Sequence, residues 1–139
     1  MKNLSASLED YLEIICNLLE TSQSVKAVEV AKKLNISRAS VSEALSKLAD
    51  KNLIIYEGHK GITITPDGLK KAKEVILKHK TLTAFFEETL GLSKECAEEN
   101  ACKIEHVIDD EVFLRIKDFQ EYCNNKEFIL NFQEGYKTH

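Results

Sequence analysis

The stretch Ser37-Arg38-Ala39-Ser40-Val41-Ser42-Glu43-Ala44-Leu45-Ser46-Lys47-Leu48 decides the fold of this chain. Within it, Val41, Leu45 and Leu48 recur at helical spacing, which predicts a helix with one buried face. Ser37 precedes this helix, where a serine hydroxyl can accept a free N–H of the first turn. The exposed face carries small hydroxylated side chains and basic ones, which a purely structural helix does not need.

A shorter predicted helix precedes this stretch, from Val25 to Leu34, and Asn35 ends it. Its inward residues are expected to be Val28, Val30, Ala31 and Leu34. Two short helices joined by a tight turn form a helix-turn-helix, whose second helix enters the major groove of DNA. Any helical hairpin would show the two apolar stripes, but not the polar exposed face. We therefore predict DNA contacts from Ser37, Arg38, Ala39, Ser40 and Ser42, with Lys47 and Lys60 contacting the backbone.

Two short β-rich runs follow, Leu53–Tyr56 and Ile62–Thr65, with glycines between them where a hairpin turns. This hairpin predicts a wing that carries Lys60 at its tip. Pro66 then opens a long helix that reaches about Leu90. Helical spacing also predicts a helix from Ser7 to Glu20 with Ser7 as its N-cap. Further helices are expected after Ser93, after Asp109 or Asp110, and from Lys126 to Tyr136.

The composition is that of a globular domain, with 43% hydrophobic and 30% charged residues among 139. No apolar run reaches the length of a membrane span, and the N-terminus lacks the apolar segment of a signal peptide. We therefore expect a cytoplasmic protein with no membrane partner. The four cysteines form no Cys-x-x-Cys pair and are expected to be free thiols, with Cys16, Cys96 and Cys123 packing as small hydrophobes.

The charge is divided unequally along the chain, although the total is −4. Residues 1 to 75 carry 11 basic and 10 acidic residues, so their net charge is near +1. Residues 76 to 139 carry 8 and 13, so theirs is near −5. A basic face in the first half can meet phosphates, and the acidic second half suits cations.

A second stretch, Glu98 to His106, concentrates metal-ligand chemistry in the acidic half. If it is helical, Cys102, Glu105 and His106 stand at i, i+3 and i+4 on one face. A thiolate, a carboxylate and an imidazole together are ligands that transition metals take. The structural alternative is a small buried cysteine, a core histidine and surface carboxylates. Further candidates for the same chemistry lie elsewhere in the chain: Asp10 and Glu13 on the first helix, His79 on the long helix, and Glu98.

The order of these motifs resembles the diphtheria-toxin-repressor family of iron- and manganese-dependent repressors, in a short form lacking the optional SH3-like domain. The resemblance implies a winged helix-turn-helix domain over residues 1–73 and a helical metal-binding and dimerisation domain over 74–139. Under it, His79, Cys102, Glu105 and His106 match metal ligands, and Asp10 and Glu13 match carboxylates of the manganese branch. Two departures stand out: Glu98 replaces a histidine of the iron branch, and Thr83 replaces a glutamate.

The resemblance further implies a homodimeric repressor that binds a metal ion and then palindromic operator DNA ahead of metal-uptake genes, with no small-molecule substrate. Carboxylate oxygens suit Mn(II) and Fe(II), whereas Cys102 shifts the preference toward Fe(II), Co(II) and Zn(II). We expect Fe(II) first and Mn(II) next, with Zn(II), Co(II) or Ni(II) binding in vitro. An ion held by both domains would couple metal binding to DNA binding.

Two alternatives differ in class from a metal-dependent repressor. One is a winged-helix regulator that senses an oxidant or small ligand through Cys102. The other is a metal-dependent hydrolase, since carboxylates around an ion can activate water. A chain largely used by a DNA-binding module and dimer helices leaves little room for a substrate pocket, so we expect no enzyme.

Overall fold

The computed structural model describes residues 4–123 and 126–137. The chain divides into two compact units, Met1–Val75 and Ile76–His139. The elements in chain order are α1 (Ala6–Leu19), α2 (Ala27–Leu34), α3 (Arg38–Asp50), β1 (Ile54–Tyr56), a 3-10 turn (Gly58–Lys60), β2 (Ile62–Ile64), α4 (Pro66–Ala84), a π turn (Phe85–Thr89), α5 (Lys94–Ile104), α6 (Asp110–Cys123) and α7 (Glu127–Lys137). The predicted fold class, mainly α with a small β-hairpin wing, is confirmed.

Helix α1 begins two residues earlier than its apolar pattern predicts. Ser5, and not Ser7, is the N-cap, and its hydroxyl accepts a hydrogen bond from the Leu8 N–H at 3.3 Å. Serine is a favourable N-cap residue at either position, and the spacing of the apolar residues is compatible with both. Leu12 and Ile15 on this helix are fully buried in the core of the first unit.

Helix α3 follows its prediction closely. The Ser37 hydroxyl accepts a hydrogen bond from the Ser40 N–H at 3.2 Å, as an N-cap does. Val41, Leu45 and Leu48 are completely buried. The amphipathic pattern therefore places the exposed face of α3 correctly.

Helix α2 departs from its prediction at its N-terminus. Val25 is not helical, because it forms an isolated antiparallel bridge to Ile62 with backbone hydrogen bonds of 3.1 and 2.7 Å. The helix therefore starts at Ala27, and Val28, predicted to face inward, is 41% exposed. Its end is as predicted: Asn35 adopts a left-handed conformation with φ 55°.

The wing is an antiparallel hairpin in which Ile54 pairs with Ile64 and Tyr56 with Ile62. The 3-10 turn joins its two strands. The Lys26 ammonium donates a hydrogen bond to the His59 carbonyl, so the N-terminus of α2 also contacts the tip. The hairpin is thus attached to the rest of the first unit at both β2 and its tip.

The core of the second unit centres on Leu82, Ala101 and Phe113, which come from α4, α5 and α6. The segment predicted as one helix to Leu90 changes from α to π geometry at Phe85. Ser93 caps α5 as predicted, accepting from the Cys96 N–H at 3.2 Å. No helix in the described part of the chain has both the length and the apolar character that crossing a bilayer requires.

Candidate metal centre and DNA-binding helix

The carboxylate of Glu105 lies at the centre of the candidate metal site in the second unit. Its Oε2 lies 2.6 Å from Nδ1 of His79, and its Oε1 lies 3.3 Å from Nε2 of His106. The Glu105 side chain is fully buried, the His106 side chain is 6% exposed and that of His79 is 28% exposed. A buried carboxylate is costly unless charges or donors compensate it. Here two imidazoles approach it from α4 and from the end of α5.

The local structure around Glu105 corrects one prediction. Helix α5 ends at Ile104, so Glu105 is its C-cap and His106 lies in the turn that follows. The Glu105 N–H still donates to the Ala101 carbonyl at 2.9 Å, so Glu105 keeps the predicted i+3 placement after Cys102, and the prediction of one continuous helix is wrong at His106. The C-terminal end of a helix carries partial negative charge and favours a nearby cation. Because α5 ends at Ile104, the partial negative charge of its C-terminus lies next to the Glu105 carboxylate.

Cys102 lies on the last turn of α5 and is exposed. Its Sγ is no more than 4.8 Å from a carboxylate oxygen of Glu105. Metal bonds of about 2.0 to 2.3 Å allow two ligand atoms of one ion to stand up to roughly 4.3 Å apart. A small side-chain rotation therefore suffices for both groups to reach the same ion. Oxygen, nitrogen and sulfur donors together fit a divalent transition metal.

Glu98 is exposed and lines a small cavity of about 230 Å³. The walls of this cavity also include His79, Thr83, Glu87 and Glu88. Glu87 and Glu88 belong to the π turn, and no sequence motif marks them as site residues. Thr83 donates its hydroxyl hydrogen to the His79 carbonyl at 2.7 Å. The acidic groups of this cavity therefore come from α5 and the π turn.

The remaining predicted ligands, Asp10 and Glu13, lie on α1 in the first unit, and both are half-buried. Glu9, which was not among the predicted ligands, is more buried, at 6% exposed. Leu8 precedes it and Asp10 follows it, and the apolar periodicity does not mark this charged residue as an inward one.

The other thiols fit structural roles in most respects. Cys16 and Cys123 are buried, as predicted, whereas Cys96 is half-buried. Burial raises the pKa of Cys16, and the Glu20 and Glu13 carboxylates raise it further, while Lys73 lowers it. A raised thiol pKa keeps Cys16 protonated at neutral pH, and a protonated thiol is a poor metal ligand.

The DNA-binding candidates on α3 and the wing are all exposed: Ser37, Arg38, Ala39, Ser40, Ser42, Lys47 and Lys60. The hydroxyl of Ser37 donates to that of Ser40 at 3.0 Å, in addition to capping the helix. Lys47 pairs with Glu43 at 3.2 Å and Lys60 with Glu57 at 3.8 Å, both in exposed positions. Arg38 makes no ion pair with the residues that the structure describes. It is therefore the basic side chain on α3 whose charge is not offset by a neighbouring carboxylate.

Family models match both units of the chain. Residues 3–62 match the iron-dependent repressor N-terminal DNA-binding domain, and residues 65–127 match the iron-dependent repressor metal-binding and dimerisation domain. An uncharacterised HTH-type transcriptional regulator of Methanocaldococcus jannaschii is 41% identical over 124 residues, covering 88% of this chain and 99% of the relative. The chain belongs to the iron-dependent repressor family. The family consists of transcriptional regulators, so the prediction that the chain is not an enzyme is confirmed.

Solved structures of metal-dependent repressors share the fold. A manganese-dependent transcriptional repressor in complex with manganese aligns with a TM-score of 0.74 and 28% identity, over 83% of this chain and 53% of that one. The repressor ScaR with bound Zn²⁺ aligns with a TM-score of 0.72 and 28% identity, over 83% and 54%. This chain therefore spans about half the length of these structures. The resemblance inferred from the motifs is confirmed.

Proposed function

We propose that this chain is a metal-activated repressor, in which a divalent ion, Fe(II) by preference, promotes the binding of a homodimer to palindromic operators of metal-uptake genes in the cytoplasm. The observation that supports it most is the buried Glu105 carboxylate between two imidazoles with a thiol nearby. The proposed ligands are Asp10, Glu13, His79, Cys102, Glu105 and His106, with Glu98 as an additional carboxylate next to His79.

The residues of the second unit have separate roles in this proposal. Glu105 supplies the anionic oxygen, and His79 and His106 supply neutral nitrogens, so an ion has to replace their direct contacts with the carboxylate. Cys102 coordinates as a thiolate, so metal binding releases a proton at Sγ. The bound ion supplies positive charge and fixes the directions of these side chains. Metal affinity is therefore expected to rise with pH, because protons compete with a divalent ion for the same donor atoms.

The donor set argues for Fe(II), because it mixes hard carboxylate oxygens with a soft thiolate. The similar repressors carry manganese in one structure and zinc in another. Zn(II) should bind this chain at least as tightly as Fe(II) in vitro. Nitrogen and sulfur ligands suit Zn(II), and Zn(II) binds more tightly than Fe(II) in the Irving–Williams order of affinities.

Coupling to DNA follows from the distribution of the proposed ligands between the two units. Asp10 and Glu13 belong to the unit with the helix-turn-helix, and the other ligands belong to the second unit. An ion that takes ligands from both would favour one arrangement of a mobile ensemble. Allosteric couplings of about 1 to 3 kcal/mol are typical, and they change affinity roughly 5- to 150-fold.

The first experiment is anaerobic fluorescence anisotropy on a labelled DNA fragment from upstream of the protein's own gene, in chelator and then with Fe(II), Mn(II) or Zn(II). We expect tight binding only with metal. Arg38→Ala should weaken that binding at least about fivefold, because an arginine contact to a base or phosphate is lost. Arg115→Ala, which removes the same charge from α6, is the matched control. Equal binding with and without metal would overturn the proposal.

Asp10→Ala tests the contribution of the first unit. We expect metal-dependent DNA binding to weaken about tenfold, because one carboxylate ligand is lost, while the mass of the dimer stays unchanged. Light scattering with size-exclusion chromatography measures the mass, and anisotropy measures the DNA affinity. An unchanged metal response, or a dimer that dissociates, would show that Asp10 does not link metal to DNA.

A second candidate function is supported by the exposure of Cys102, a thiol accessible to oxidants. In this alternative, Cys102 oxidation is the signal and no ion takes part. Cys102→Ser would then abolish the response, whereas Asp10→Ala and His79→Ala would have no effect. Metal-dependent DNA binding in the absence of oxidant would exclude it.

A further inference from the structure

The C-terminal helix α7 contacts the π turn through the side chain of Gln133. Its amide nitrogen Nε2 donates hydrogen bonds to the carbonyls of Glu88 and Thr89, the second at 3.2 Å. Carbonyls at the end of a helix have no partner within the helix and need one from elsewhere. Thr89 is buried, so water is not an easy substitute. Gln133 thus completes the C-terminal end of the segment that begins as α4.

The backbone conformation next to this contact leaves space for the Gln133 side chain. Gly91 adopts φ +75°, and a Cβ at this position would lie 2.9 Å from Cγ of Gln133. The Leu90 N–H donates to the Phe85 carbonyl at 3.1 Å, and the Leu92 N–H donates to the Phe86 carbonyl at 3.0 Å. The backbone of the turn therefore satisfies its first two carbonyls, and Gln133 satisfies two later ones.

The geometry of the π turn affects the small cavity that His79 lines, because residues of the turn form part of the wall of that cavity. A π turn contains an extra residue, so the side chains within and after it are rotated, by up to about 100°, from their directions in a continuous α-helix. Glu87 and Glu88 of this turn line the small cavity together with His79 and Glu98. A relaxation of the turn to α geometry would redirect these carboxylates.

We propose that Gln133 is a positioning residue: by holding the π turn it keeps Glu87 and Glu88 on the wall of the cavity that His79 and Glu98 also line, and thereby raises the affinity for a divalent cation. The effect on cation affinity rests on the proposed metal binding, whereas the contact of Gln133 with the π turn does not. The role of Gln133 gives α7 a function, although α7 lies almost wholly beyond the residues 65–127 that match the family model.

The contact is tested first without metal, by hydrogen exchange in the full-length protein. Gln133→Met keeps the length of the side chain and removes its donors. We expect the Leu90 and Leu92 amides to exchange about tenfold faster, because two hydrogen bonds are lost. Glu134→Gln, a change at the next and exposed position of α7, should leave both rates unchanged. Unchanged rates in Gln133→Met would overturn the role of Gln133 in the turn.

The consequence is tested by Mn(II) titration, followed by the electron paramagnetic resonance signal of the free ion. We expect Gln133→Met to bind Mn(II) about three- to tenfold more weakly than the unmodified chain and the Glu134→Gln control. Co(II) absorption spectra of the saturated proteins should differ as well, which a mere loss of stability would not produce. Faster exchange with unchanged Mn(II) affinity and an unchanged spectrum would refute positioning. If the unmodified chain binds no metal, the proposed function fails, and the exchange rates still decide whether Gln133 holds the turn.

Discussion

Glu105→Gln is expected to lower the affinity for Mn(II) and Co(II) about 100-fold or more. The substitution keeps the size of the side chain and removes its charge at the position where both His79 Nδ1 and His106 Nε2 approach it. A neutral amide is a weaker ligand than a carboxylate for these ions, and the buried position increases the electrostatic difference. Competition with a fluorescent chelator measures both affinities, and metal-dependent DNA binding should be lost with them.

Glu99→Gln is the matched control for this change. Glu99 lies on the same helix, is exposed, and pairs with Lys103 at 2.9 Å. The Glu99 carboxylate faces solvent, where water and salt screen its charge. Its removal should therefore change the metal affinity by no more than about twofold. Far-UV circular dichroism checks that both variants keep their helices. If Glu105→Gln binds metal as well as Glu99→Gln does, the buried carboxylate is not a ligand.

Gly68→Ala is expected to destabilise the first unit by about 2 to 3 kcal/mol, which is at the upper end for overpacking. A Cβ at Gly68 would lie 1.8 Å from the Leu53 carbonyl oxygen and 2.9 Å from Cγ1 of Ile64. The same carbonyl accepts the Thr65 N–H at 3.1 Å, so the backbone cannot move aside without losing this bond. Urea denaturation followed by circular dichroism and tyrosine fluorescence measures the change.

Gly135→Ala provides the comparison for Gly68→Ala. A Cβ at Gly135 would meet no atom within 4 Å, and the residue lies inside α7. Alanine favours a helix over glycine by roughly 0.5 to 1 kcal/mol, so this variant should be slightly more stable. A loss below about 0.5 kcal/mol in Gly68→Ala would show that α4 shifts easily away from Leu53.

The fold was predictable from the sequence where local signals agree. Val41, Leu45 and Leu48 repeat at helical spacing. Ser37 is a favourable N-cap residue by type, and it is the N-cap of α3 in the structure. The start of α2 was not predictable in this way. Val25 suits either a helix or a strand, and the partner that decides it, Ile62, lies far along the chain. Local propensity contains no information about such a pairing.

The candidate site was partly predictable for a similar reason. Residue types alone identify Cys102, Glu105 and His106 as possible ligands, and the structure brings them close together with His79. The end of α5 at Ile104 has no glycine or proline to mark it, so the sequence predicts a helix that continues. The π turn at Phe85 and its contact with Gln133 depend on packing between distant segments. Glu87 and Glu88 were missed because their place on the wall of the cavity that His79 lines depends on that turn.

The bridge between Val25 and Ile62 has a consequence for the cost of binding DNA. A free hairpin loses conformational entropy when a partner fixes it, and this loss reduces affinity. In this chain the backbone of β2 is hydrogen-bonded to the segment ahead of α2, and the wing tip is bonded to Lys26. The wing is therefore preorganised against the segment that leads into α2, and in the proposed DNA complex the entropy of the wing would be lost during folding and not at the operator.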